Sequence, residues 1–146
     1  MIKKTILLSF LLITISCAEK SIEPCNLSTE SGITYVDGKI FTGSCHIFYA
    51  DTILKQTLTY KRGVITKQVN YYLTEEEQIE YIGYWKDGKI HGDFESYYEN
   101  GNMSIQGQLT EGQYDGEWDY WDEDGSLNKE LTYDMGEVTD SIYYKN

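Results

Sequence analysis

Basic residues are scarce in this chain, and so are histidines and helical patterns. Its 146 residues hold 12 Lys and Arg against 24 Asp and Glu, a net charge of −12. Nucleic acid needs a cationic surface to meet its phosphates, so that partner is excluded. Headgroup binding on an anionic membrane is excluded on the same ground. The two histidines, His46 and His91, share no repeat position and no metal-ligand spacing. A zinc set of Cys25, Cys45 and His46 would lack a fourth ligand and would compete with a disulfide. There is no Gly-x-Ser-x-Gly turn and no glycine-rich phosphate loop. With so many acids, carboxylate pairs arise by chance, and nothing singles out one pair for glycoside cleavage. The expectation is a protein that is not an enzyme, with no cofactor and no metal site. No apolar run reaches the roughly 20 residues of a spanning helix.

The N-terminus is organised differently from the rest. Lys3 and Lys4 precede an apolar run, Ile6 to Ile15, broken only by Ser9 and Thr14. Ser16-Cys17 follows at once. Positive, apolar, then a small residue at the cut is the order of a secretory signal peptide, assigned to residues 1–16. Thr14-Ile15-Ser16-Cys17 resembles a bacterial lipobox, with threonine where leucine is usual. That resemblance implies lipidation of Cys17 and a protein anchored in the bacterial cell envelope, at the outer membrane on its periplasmic or exposed side. Cleavage removes two lysines and no acid, so 10 basic groups then face 24 acidic ones, a net charge of −14. Cys25 and Cys45 remain as an even pair in an oxidising setting and are expected to form a disulfide. Closing that loop is worth about 3 kcal/mol. Residues 17–34 hold the only proline, Pro24, lack periodicity, and read as a linker into a first edge strand.

Residues 35–146 repeat themselves. Gly92, Phe94, Tyr97, Gly101, Met103 and Gly112 recur 24 residues later as Gly116, Trp118, Trp121, Gly125, Leu127 and Gly136. From Gly43 an earlier unit runs at an offset of 49, so that Cys45 matches Phe94, Phe48 matches Tyr97 and Leu54 matches Met103. A unit between them carries Tyr71-Tyr72 and a longer turn, Thr74 to Gln78. Tyr35 to Gly43 parallels Trp85 to Gly92 with one extra residue. There are four units and a terminal fragment, the signature of a stacked-repeat architecture.

Each unit reads as a β-hairpin. Met103, Ile105, Gly107 and Leu109 alternate with polar residues, the period of a half-buried strand. Asn100-Gly101 and Asp124-Gly125 are tight-turn signals, because such turns need residues that accept positive φ. Asp37-Gly38, Arg62-Gly63, Asp87-Gly88, Glu111-Gly112 and Met135-Gly136 punctuate the other end. The expected fold is all-β: an elongated, twisted antiparallel meander of roughly nine strands, in which each hairpin leans on its neighbours. Fourteen tyrosines and three tryptophans supply buried area to so thin a body.

Units of this form, G-x-(F/W)-x-x-(Y/W)-x-x-(N/D)-G-x-(M/L), resemble the bacterial variant of the MORN repeat found in YwqK-type antitoxin proteins. The resemblance spans residues 35–144 and implies a MORN-like repeat sheet. It brings no catalytic motif, and its antitoxin members imply a role in neutralising a toxin.

Phe48, Tyr71, Tyr97 and Trp121 hold one position in successive units, where the alternation breaks. They are expected to point away from Tyr49, Tyr72 and Tyr98, so that either one of the two aromatic columns is left partly exposed as a partner surface, or the sheet twists enough for both columns to pack against cross-strand neighbours. The acidic run Asp119, Asp122, Glu123, Asp124 departs from a calcium loop, with Tyr120 and Leu131 where carboxylates are needed, and reads as a solvated hairpin turn. The leading expectation is a non-catalytic, membrane-anchored scaffold that binds another protein. An immunity-type antitoxin and a glycan-binding surface lipoprotein are the alternatives.

Overall fold

The computed structural model describes residues 21–22, 26–49 and 52–145. The signal segment 1–16, the lipidation residue Cys17 and the disulfide candidate Cys25 lie outside the described residues. Thirteen strands and no helix are present among the described residues. They are β1 (Ser21–Ile22), β2 (Ser28–Glu30), β3 (Ile33–Val36), β4 (Lys39–Ile40), β5 (Gly43–Tyr49), β6 (Ile53–Lys61) and β7 (Val64–Tyr71). There follow β8 (Ile79–Lys86), β9 (Lys89–Tyr97), β10 (Met103–Thr110), β11 (Gln113–Trp121), β12 (Leu127–Asp134) and β13 (Glu137–Tyr143). β5 to β13 form a nine-strand antiparallel meander, each strand pairing with the next in sequence, and β1 joins the β5 edge in parallel. β2, β3 and β4 make a separate small sheet.

Two kinds of turn alternate along the meander. Arg62-Gly63, Asp87-Gly88, Glu111-Gly112 and Met135-Gly136 place both residues at positive φ, between 46° and 93°. Two-residue turns of this hand match the twist of the strands they join. At the opposite end, only the glycine of Asn100-Gly101 and of Asp124-Gly125 has positive φ. Tyr98 N–H bonds Asn102 C=O and Gly101 N–H bonds Tyr98 C=O, closing a three-residue loop, and Asp122, Ser126 and Gly125 repeat the pattern. Asn100-Gly101 and Asp124-Gly125 therefore sit in the longer loops, and the two-residue turns put arginine, aspartate, glutamate and methionine before the glycine.

The extra residue in the first unit has a structural consequence. Gly112 N–H bonds Ile90 C=O, Gly136 N–H bonds Tyr114 C=O, and Gly63 N–H bonds Phe41 C=O. Phe41 therefore takes the place of Ile90, and the surplus residue lies before it. Where β9 runs unbroken from Lys89, the first unit splits into β4 and β5. β3 and β4 leave the meander and pair with β2, so residues 28–34 of the segment read as a linker are largely strand. The small sheet meets the large one at the β6–β7 turn. Thr34 N–H bonds Gly63 C=O at 2.8 Å, and the buried Phe41 ring lies 5.6 Å from Tyr60.

Every unit also carries a bulge. The register shifts between Met103 and Ile105, and at the same place in the other three units. An extra residue on one strand reverses the faces beyond it. The pairs Phe48↔Leu54, Tyr71↔Ile79, Tyr97↔Met103 and Trp121↔Leu127 are its product. Met103 thus faces with Tyr97, and the unbroken alternation expected from Met103 to Leu109 does not hold.

On the face that carries Trp118, aromatic side chains cover glycines. Gly83 and Gly107 both stand opposite Phe94, and Trp118 fills the space over Gly107. Trp118 is fully buried, its Nε1–H donating to Gln108 C=O at 3.1 Å. Its ring lies 5.9 Å from Phe94 and 4.1 Å from Tyr114.

Candidate protein-binding face

The opposite face is organised as one row across all nine strands. His46, Thr57, Val69, Ile82, Glu95, Gln106, Asp119, Glu130 and Ile142 stand opposite one another in turn. Directly opposed residues project to the same side of a sheet. The first half of the row carries no carboxylate, and Val69 in it is buried. The second half is acidic. Beside it the register shifts between Gln106 and Gln108, where the facing stretch of β11 includes Gly116 at φ 74°.

Two grooves lie along this acidic half. The first, of about 420 Å³, is lined by Asp93, Gln106, Gln108, Asp115, Glu117 and Asp119. The second, of about 390 Å³, adds Glu130, Asp140 and Ile142 to Glu117 and Asp119. Neither is lined by a lysine or arginine. Gln108 Nε2 donates to Asp93 at 3.1 Å and Tyr97 hydroxyl to Glu95 at 2.7 Å, leaving the carboxylates uncompensated by cations. Burial, then Glu130 and then Glu117, raise the Asp119 carboxyl above its ordinary value. Like charges directly opposed, as Asp119 and Glu130 are, oppose folding. Burial and the bond to Glu95 push the Tyr97 phenol up to about 12.

The four aromatic residues of the expected partner surface are all half-buried. Phe48, Tyr71, Tyr97 and Trp121 each lie against the aliphatic residue opposite, Leu54, Ile79, Met103 and Leu127. The neighbouring column has its own use. Tyr72 hydroxyl donates to Tyr97 C=O and Tyr98 hydroxyl to Trp121 C=O, each at 2.7 Å. Each tyrosine thereby ties its unit to the next. Tyr49, their counterpart in the first unit, is exposed. The acidic run at 122–124 forms the turn itself: Asp124 caps Ser126, and Asp122 accepts from Asn128 at 2.8 Å. No group of three metal-ligating side chains occurs among the described residues. Cys45 is fully buried and disulfide-bonded; its expected partner, Cys25, lies outside the described residues.

The acids of the row have a sequence signal that the aromatic residues obscured. Asp93 and Glu95 recur 24 residues on as Glu117 and Asp119. Glu130 is the counterpart of Gln106 by the same step. That Glu95, Asp119 and Glu130 meet in one row, with Asp93 and Glu117 beside it on the same face, follows from the register across strands, which the spacing along one strand does not reveal.

Fold and surface together define an all-β protein of sequential hairpins with one acidic face. The chain matches no family model, and no curated protein is significantly similar to it. No helix among the described residues is long and apolar enough to cross a membrane.

Proposed function

We propose that these hairpins are bacterial MORN-variant repeats and that the chain is a non-catalytic scaffold binding another protein through its acidic face. In this reading lipid on Cys17 anchors it in the cell envelope. The observation that carries the reading is the row Glu95, Gln106, Asp119, Glu130, which holds like charges together without a cation. A partner bearing Lys or Arg relieves that repulsion on binding, which gives specificity and a fast encounter. The same face favours an antitoxin as the second reading, since it would cover a basic toxin site.

The test is cross-linking in the native envelope, comparing the parent with Asp119→Lys/Glu130→Lys. Loss of the cross-linked species in the double variant, with its folding intact, is the expected result. An unchanged pattern rejects the acidic face as the contact. Fractionation of Cys17→Ser tests the anchor separately: the variant is expected to leave the membrane fraction.

A further inference from the structure

The two edges of the large sheet are treated differently. β1 covers the β5 edge, pairing in parallel at Ser21↔Ser44 and Ile22↔Cys45. β13 has β12 on one side and, among the described residues, no strand on the other. All of its residues are exposed. Such an edge offers backbone donors and acceptors to any extended segment that can reach them.

The side chains of β13 sort by face. Val138 stands opposite Tyr133, and Tyr143 opposite Lys129, on the aromatic side. Val138 is 55% exposed and Tyr143 69%, apolar area that an added strand would cover. Asp140 stands opposite Thr132, and Ile142 opposite Glu130, on the acidic side. There Asp140 shares its groove with Glu117, Asp119 and Glu130. An incoming strand therefore meets Val138 and Tyr143 on one face and Asp140 on the other, where Ile142 stands between it and Glu130.

A second copy of the chain fits this edge poorly. Antiparallel pairing of β13 with itself about its central residue sets Asp140 against Asp140 and joins two chains of net charge −12. Like charges directly opposite are destabilising. The carboxylates that discourage self-pairing suit a basic strand.

Building on the protein-binding reading above, we propose that the β13 edge receives an extended segment of the partner in which basic and apolar residues alternate. The segment adds as the next strand of the sheet. Its Lys or Arg side chains lie over Asp140, and its apolar side chains lie on Val138 and Tyr143. Backbone pairing supplies affinity, and the alternation fixes register.

The probe is a fluorescent peptide as long as β13 that alternates lysine with valine, titrated into the full chain by anisotropy. A second peptide carries the same side chains with alternate amides N-methylated, and a third has glutamate for lysine. The first is expected to bind, and the other two at least about tenfold more weakly. Asp140→Lys, an exposed change, is expected to weaken the first peptide by a similar factor. Equal binding of the N-methylated peptide overturns strand addition while leaving the acidic face as a protein contact. No binding of the first peptide overturns the proposal as well. So does a dimer in sedimentation that Ser141→Pro dissociates, since a second copy then holds the edge.

Discussion

The indole of Trp118 occupies the space that a Cβ at Gly107 would need. Gly107 does not have positive φ, so the need for glycine there is steric rather than conformational. Gly107→Ala is expected to lower stability by about 1–3 kcal/mol, the range for overpacking a filled site. Gly83 is the control. A Cβ there would meet Phe94 Cδ2 at 3.8 Å, ordinary contact. Urea unfolding of Gly83→Ala should show a much smaller loss, and equal losses would refute the steric account.

Tyr98 ties two units together through its bond to Trp121 C=O. Tyr98→Phe keeps the ring and removes the donor, leaving a part-buried carbonyl short of a partner. A loss of about 1 kcal/mol is expected in chemical denaturation. Tyr49→Phe, at the exposed counterpart, should change stability by no more than about 0.5 kcal/mol.

Much of the architecture was legible in the sequence, because glycine and aromatic spacing report strand length and turn position. The nine-strand meander follows from them. The bulges did not show, since an extra residue is a property of two strands read together. One strand's pattern, Met103 to Leu109, gives no sign that Met103 turns over to join Tyr97. The extra residue before Phe41 was visible, but its effect depended on whether the strand absorbed it or broke. It broke, and a second sheet formed from Ser28–Ile40. The acidic row is legible only once those registers are known.

Asp119 gives the acidic face a pH signature. Its folded-state carboxyl is raised above the ordinary value, so the folded protein holds this proton more tightly than the unfolded chain does. Stability from this group is therefore greatest at low pH. It falls as pH rises from the ordinary aspartate value through the raised one, and is constant above. Asp119→Asn removes the effect. The melting-temperature difference between variant and parent should grow in favour of the variant across that window and then level off. A difference that shrinks with rising pH would show that the carboxylate is stabilised instead.

Met135 occupies the first place of a two-residue turn at φ 46°, a left-handed conformation that Asn accepts more readily than an unbranched apolar residue does. The side chain is 45% exposed, so little packing is lost on replacing it. Met135→Asn is expected to stabilise the β12–β13 hairpin by about 0.5–1 kcal/mol, a fraction of the left-handed penalty. Met135→Val, branched at Cβ, should do the reverse by a similar amount. Hydrogen exchange of the β13 amides reads the result locally: slower in the asparagine variant and faster in the valine variant. If both variants exchange alike, the turn backbone is not what limits the edge hairpin, and its stability rests on the pairing of β13 with β12 alone.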